Sequence, residues 1–334
     1  MIRAEPAKPA SFRLQATAVG CNRPQSKKGA RHARALFATA LGGLLAAQPL
    51  PAAGPVPAQP EVTFGVVADV QYADADPAGS RHYRAALPKL AASVQAFNAA
   101  KPDFVIQLGD LVDHGPANFG PPLAAYAKLA MPRYQVIGNH DAAVAAGAGA
   151  DVAATFGLKR GYYDFAVNGW RFIVLNGNAV SLAAPAGSPE RRQAQAMLDR
   201  LQEAGAPNAM PWNGACGEPQ LAWLRTTLAN AAKAREAVVV FCHFPVYPPN
   251  VHNLWDDGEV VGILEAGGGV AAFFSGHNHG GNYGEKRGIH YVTLHGLVET
   301  PDTTAYARVA LYPDRLVVTG HGREPSRTLP RPAP

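Results

Sequence analysis

The residues of this chain best suited to chemistry stand at the ends of apolar runs. They are Asp69 and Gln71 after "FGVVA", Asp110 in "QLGDLVD", Asn139 and His140 in "VIGNHD", His243 in "VVFCH", and His277 and His279 in "FFSGHNH". Carboxylates, amide carbonyls and imidazoles are the usual ligands of divalent first-row cations. Taken singly, each residue has a plainer use, because Asp, Asn and Gly after a strand are turn formers and helix caps. Taken together, two carboxylates, a Gln, an Asn and four His at strand ends exceed what turns require. Gly276, Gly280 and Gly281 flank His277 and His279 and permit the tight loop that both rings need to reach one point.

The elements that must hold these residues follow from the apolar runs "VTFGVVA", "FVIQL", "YQVIG", "FIVLN", "AVVVFCH", "VAAFFSG" and "YVTLHG", which read as strands buried on both faces. Helices alternate with them. Tyr83, Leu87, Leu90, Val94 and Phe97 recur at steps of three and four, as on one helix face, with Pro88 expected only in or near a first turn or at a kink. "QLAWLRTTLANAAKA" is a second helix, residues 177–218 read as an insertion with a short helix inside, and "AYARVALYPDRLVVTGHGR" reads as a hairpin. The class is α/β. In an open α/β sheet the carboxyl ends of parallel strands face one crevice, which gathers residues scattered along the sequence into one site.

In order and spacing, "ADVQ", "GDLVD", "GNHD", "CH" and "GHNH" resemble the motif blocks of calcineurin-like metallophosphoesterases, over roughly residues 61–300. That resemblance implies a β-sandwich of two mixed sheets flanked by helices, spanning residues 59–328, with a dinuclear metal site at the strand C-terminal ends. Carried over, one metal takes Asp69, Gln71, Asp110 and His279, and the other takes Asp110, Asn139, His243 and His277. His140 is implied beside the leaving oxygen as acid or electrostatic partner, oriented by Asp113, which can also be read as a simple turn acid.

Gln71 stands where most of the broad family has His. With "WNG", "HFPVYP", "GLVETP" and "GREPSR", it resembles the manganese-dependent ADP-ribose/CDP-alcohol diphosphatase branch. The branch implies hydrolysis of the pyrophosphate bond of small nucleoside diphosphate derivatives. The cofactors are then two divalent ions, Mn²⁺ first, with iron, Zn²⁺ or Mg²⁺ as alternatives. Tyr72, Arg81, Trp255, Tyr283, His295 and Glu299 are candidate substrate contacts, although each aromatic among them also suits core packing. The loop "ADADPAGSRHYR" is short for the branch, and Gly280 replaces a common Asp. A phosphodiesterase or phosphomonoesterase of the same fold is one alternative, and a non-catalytic metal- or nucleotide-binding module is another.

A formal charge of +5 raises nucleic acid as a partner, but residues 1–60 hold eight of the 30 basic residues and one of the 25 acidic ones. The body is slightly acidic, which argues against nucleic acid, and the partner that the resemblance implies is a small nucleotide. The basic "KKGARHAR", the apolar "ALFATALGGLLAA" and a Pro-rich stretch read as an export leader over residues 1–58, making the protein periplasmic or secreted, with a cytoplasmic basic tail as the alternative. The apolar run is short for a bilayer, so no stable membrane span is expected once the leader is removed. Residues 329–334 read as a C-terminal tail and a monomer is the default. Cys21, Cys216 and Cys242 offer no disulfide framework.

Overall fold

The computed structural model describes residues 59–331, so the expected leader lies outside the described residues. In chain order the strands are β1 (Val62–Val67), β2 (Phe104–Gln107), β3 (Arg133–Gln135), β4 (Tyr163–Val167), β5 (Trp170–Val174), β6 (Val180–Ser181) and β7 (Gly214–Ala215). They continue with β8 (Ala237–Phe241), β9 (Val270–Ser275), β10 (Gly280–Lys286), β11 (Ile289–His295), β12 (Ala305–Leu311), β13 (Arg315–Gly322) and β14 (Arg327–Pro330). The helices are α1 (Tyr83–Ala100), α2 (Gly120–Tyr126), α3 (Asn139–Gly147), α4 (Val152–Thr155), α5 (Pro189–Glu203), α6 (Glu218–Ala234) and α7 (Asp257–Gly267). Among the described residues, no helix is long and apolar enough to cross a membrane.

One six-stranded sheet has the order β14-β13-β12-β1-β2-β3, and the other β10-β11-β9-β8-β5-β4. Parallel β1, β2 and β3 in the first sheet, and β5, β8, β9 and β11 in the second, are flanked by antiparallel strands, so both sheets are mixed. The two sheets pack on a core centred on Phe64, whose ring stacks on Phe104 at 5.2 Å and meets Phe241 and Phe274 edge-on, each at 5.6 Å. Alternation along β1 explains the layering. Phe64 and Val66 belong to the sandwich core, whereas Val67 joins the helix layer beside Phe97 of α1. Gly65 is the necessary gap on that outer face, because a Cβ there would lie 2.6 Å from the Phe97 ring. Helices α6 and α7 cover the outer face of the second sheet.

Pro88 lies in the second turn of α1, near its first as expected. It removes the N–H that would reach the Arg84 carbonyl, and both residues are exposed, so water can take the freed oxygen. Other expectations are corrected. Leu329 pairs with Leu316 across β13 and β14, and Pro330 pairs with Arg315, so these two residues belong to the sheet and not to a tail. Strands β4 and β10, absent from the sequence reading, are only partly buried, and "GGNYGEK" in β10 has little intrinsic strand preference. The insertion has a small core of Val180, Ala194, Leu198 and Ala215, on which Trp255 packs from the loop after β8. Cys216 and Cys242 are free and buried, and burial pushes both thiols well above their ordinary range.

Candidate metal centre

Every parallel strand of the first sheet, together with β8 and β9, delivers a candidate ligand just past its carboxyl end. Asp69 and Gln71 follow β1, Asp110 follows β2, Asn139 follows β3, His243 follows β8, and His277 and His279 follow β9. Asp110 is fully buried between two groups of them. Its Oδ2 lies 3.1 Å from Gln71 Nε2 and 3.3 Å from His243 Nε2. On one side, His279 Nε2 is 3.2 Å from Gln71 Nε2 and 3.4 Å from Asp69 Oδ1. On the other, His243 Nε2 is 2.9 Å from Asn139 Oδ1, and Asp110, His243 and His277 each offer a ligand atom within 4.8 Å of the others. A carboxylate reached from both sides is the geometry that a bridging ligand needs.

The backbone is bent to make this approach. Asp69, Gln71, Asp110 and His277 all have positive φ, between 43° and 65°, a region that costs an L-residue energy and concentrates at functional sites. Gly138 lets the β3 loop pass over Asp110, since a Cβ there would sit 2.0 Å from Asp110 Oδ1. Gly276 does the same beside Asp69 Oδ2, at 2.4 Å. Gly280, in contrast, faces nothing closer than 3.6 Å, and Gly281 abuts His295, so neither presses on the two candidate ligand histidines.

The donor set fits divalent cations on an observation independent of spacing. Gln71 Oε1 is buried without a hydrogen-bond partner. A half-turn of the amide exchanges it with Nε2 and points an oxygen at the cluster, which a cation would satisfy. Asp110 is held far below the usual carboxylate range: burial opposes its charge, but His243, His140 and His277 outweigh burial. Burial likewise opposes a charged His243 and His279, yet Asp110 for the first and Asp69 for the second raise each to about 9. Burial and the neighbouring His243 lower His277, whose Nε2 is occupied by Asn213 Oδ1 at 2.9 Å, leaving Nδ1 for a cation.

His140 stands in the first turn of α3, outside the ligand groups. Its Nδ1 is 3.1 Å from Asp113 Oδ1 while Nε2 stays 4.0 Å from Asp110 Oδ2. Burial works against its charge, but Asp110 and Asp113 prevail and its pKa is raised. Asp113 therefore fixes the ring and favours the imidazolium, with the free edge toward a cavity of about 350 Å³. Gln71, Arg81, Asp110, Asn139, His140, Trp212, His252, His277 and His279 line that cavity.

A calcineurin-like phosphoesterase family model matches residues 62–281, the span that carries all the candidate ligands. The chain belongs to that family. Curated relatives named manganese-dependent ADP-ribose/CDP-alcohol diphosphatase are 31% identical in Arabidopsis thaliana, over 79% of this chain and 96% of the relative. Those in Mus musculus are 28% identical, over 81% and 94%. The solved dimetal phosphatase from Danio rerio is 26% identical with a TM-score of 0.72, covering 82% of this chain and all of that one. The chain is thus a hydrolase of the phosphoesterase class.

In this phosphoesterase the expected substrate contacts divide. Arg81 lines the cavity, 3.7 Å from Asp113 Oδ2. Glu299 instead takes His279 Nδ1 at 2.6 Å, which orients that ring and holds the carboxyl at about 2. Trp255 is buried in the insertion core, its indole N–H donating to Met210, so it is a packing residue. Tyr283 is exposed on β10 and its hydroxyl contacts His290, away from the cavity lining. His295 is turned to Glu324, and Tyr72 packs in the α1 layer; neither lines the cavity.

The structure adds residues that the sequence did not single out. Asp141, of "GNHD", accepts from the backbone of Gly138, Leu111 and Val112, binding the β2 and β3 loops together. Asn213 reaches His277 from the insertion, and its place in "WNG" was the available signal. His252 approaches the His277 ring at 5.3 Å, and Trp212 is an exposed aromatic on the cavity rim.

Because a cation needs neutral imidazoles, protons must compete with metal at His243 and His279. Apparent affinity is expected to rise with pH up to about 9 and level above it, by about one decade per pH unit for each competing histidine. Calorimetry near pH 7 in two buffers of different ionisation enthalpy should register the released protons. An affinity flat between pH 7 and 9 would exclude the competition.

Proposed function

We propose that this enzyme hydrolyses the pyrophosphate bond of small nucleoside diphosphate derivatives such as ADP-ribose and CDP-alcohols, using two divalent ions, Mn²⁺ first. The observation that carries this reading is a second cavity of about 260 Å³ adjoining the ligand cavity, with Asn139, His140 and Trp212 in the lining of both. A diphosphate joins two organic halves through one reacting centre, and two lobes meeting at His140 suit that shape. Beyond the shared His140 the second lobe is lined by neutral groups, Asn178, Ser181, Leu182 and Asn213 among them, so it suits an uncharged nucleoside or sugar better than another phosphate. Arg81 supplies positive charge on the metal side.

When bound, the cations would supply Lewis acidity to the phosphoryl oxygens and to the attacking water, and Asp69, Gln71, Asp110, Asn139, His243, His277 and His279 would hold them. The chain's own groups do the rest. His140, kept charged by Asp113, faces the oxygen that departs as the P–O bond breaks, and it gives that oxygen a proton or a charge-assisted hydrogen bond. Water contributes its oxygen to one phosphate and its protons to the two products. The relatives' names agree with this substrate class.

Purified protein assayed with Mn²⁺ should release AMP from ADP-ribose and CMP from CDP-choline faster than it hydrolyses cyclic AMP or a nitrophenyl phosphate. Preference for the cyclic diester or the monoester would replace the diphosphatase reading with the phosphodiesterase or phosphomonoesterase one.

A further inference from the structure

Lys89 lies on α1 and is only 6% exposed. A lysine that deep is normally paired with a carboxylate. Here the ammonium spends its three protons on backbone carbonyls instead: Leu297 at 2.6 Å, Thr300 at 2.8 Å and Glu299 at 2.9 Å. These belong to the segment that follows β11, where Thr300 has φ 65°. Leu297 and Val298 donate in turn to the carbonyls of Ala68 and Asp69. An apolar side chain at position 89 would leave the carbonyls of a strained loop without a partner.

A second cation grips the other side of the same loop. Arg323, from the "GREPSR" segment, donates to the Gly296 carbonyl at 3.1 Å and to the His279 carbonyl at 3.3 Å. The neighbouring Glu324 is buried and accepts from the backbone of His295 at 2.9 Å. Burial first, and then the nearby Arg323, lower the Lys89 pKa to about 8, which leaves it mostly protonated at neutral pH. The two positive groups therefore tolerate each other because backbone dipoles converge on both.

We propose that Lys89 and Arg323 are positioning residues for the metal centre: they clamp the Gly296–Thr300 loop so that Glu299 holds His279 Nδ1 and His279 Nε2 faces Asp69 and Gln71. The inference rests on His279 being a metal ligand, as the proposed function has it, and not on which substrate is cleaved. Partners that orient a ligand histidine typically contribute about 10- to 100-fold to metal affinity.

The test is a Mn²⁺ titration of metal-stripped protein without substrate, with free Mn²⁺ and the spin-coupled pair followed by electron paramagnetic resonance. Lys89→Met is expected to weaken one of the two sites by about tenfold or more and to lose the coupled signal at Mn²⁺ levels that saturate the parent, leaving the other site within about twofold. Arg323→Gln, at a half-buried position, should act in the same direction and decides the matter if Lys89→Met does not fold. Leu228→Ala, in the core between α6 and α7, should lower the unfolding temperature and leave both affinities unchanged. Parent affinities in both loop variants, or equal weakening of the two sites, would overturn the proposal. Because no substrate enters, a wrong substrate class leaves this result intact.

Discussion

Asp110→Asn is expected to lose metal-supported activity almost entirely, by at least about 10³-fold, while the metal-free protein still folds. The carboxylate is fully buried, with Oδ2 facing Gln71 on one side and His243 on the other, so neutralising it removes the charge shared by both proposed sites. The Lewis acidity of a bound cation is worth several kcal/mol of transition-state stabilisation, and about 1.4 kcal/mol is a factor of ten in rate. Asparagine keeps an oxygen for the bond from the His140 backbone N–H to Asp110 Oδ1, 2.8 Å long. His243, which Asp110 holds protonated, can lose its proton in the variant, so the metal-free protein should still fold, at reduced stability. Metal content and thermal unfolding check this together. The parent should gain about 2.7 kcal/mol from Mn²⁺ at a hundred times its dissociation constant, and the variant should gain far less. Two tightly held metals with turnover within tenfold of the parent would remove Asp110 from the bridging role.

His140→Ala is expected to separate catalysis from metal binding. Its ring is committed to Asp113 through Nδ1 and stands 4.0 Å from Asp110 Oδ2 through Nε2, so it is not needed to hold a cation. Loss of a positioned acid typically costs about 10²- to 10⁴-fold. The size should depend on the leaving group. A phosphomonoester leaving a diphosphate is a weak base and needs charge stabilisation more than a full proton, whereas an alkoxide leaving a diester needs the proton. The variant should therefore retain two metals and lose more rate on a diester than on ADP-ribose. In the parent, rate should fall as pH rises through the raised His140 pKa, because the active form is the imidazolium, and that alkaline limb should vanish in the variant. Unchanged rates would make His140 a structural residue. A rate loss accompanied by loss of both metals would make it a ligand support.

The candidate ligand groups stand out in the chain because each breaks an apolar run with a polar residue that a turn alone does not explain. Strands buried on both faces have few polar positions of their own, so Asp69, Asp110 and His243 stand out after "FGVVA", "FVIQLG" and "VVFC". The same contrast was missing for the cavity walls. Trp255 and Tyr283 were equally plausible as substrate contacts, and composition does not say which face of an element an aromatic occupies. One packs into the insertion core and the other stays on the surface of an edge strand. Lys89 would pass for a solvated residue of an amphipathic helix, because its three acceptors lie more than two hundred residues away.

The α/β class, the strands that carry the motifs and the family resemblance of those motifs are all properties of local pattern, and local pattern was enough to reach them from the chain alone. Which residues orient the ligands was settled at longer range. Asn213 on His277, Glu299 on His279, Asp141 between two loops, and Lys89 with Arg323 on the loop after β11 are contacts made across sheets and between segments remote in sequence. No periodicity encodes such contacts. They exist because two mixed sheets bring several chain crossings to one edge, where buried polar groups must find partners or leave the fold less stable.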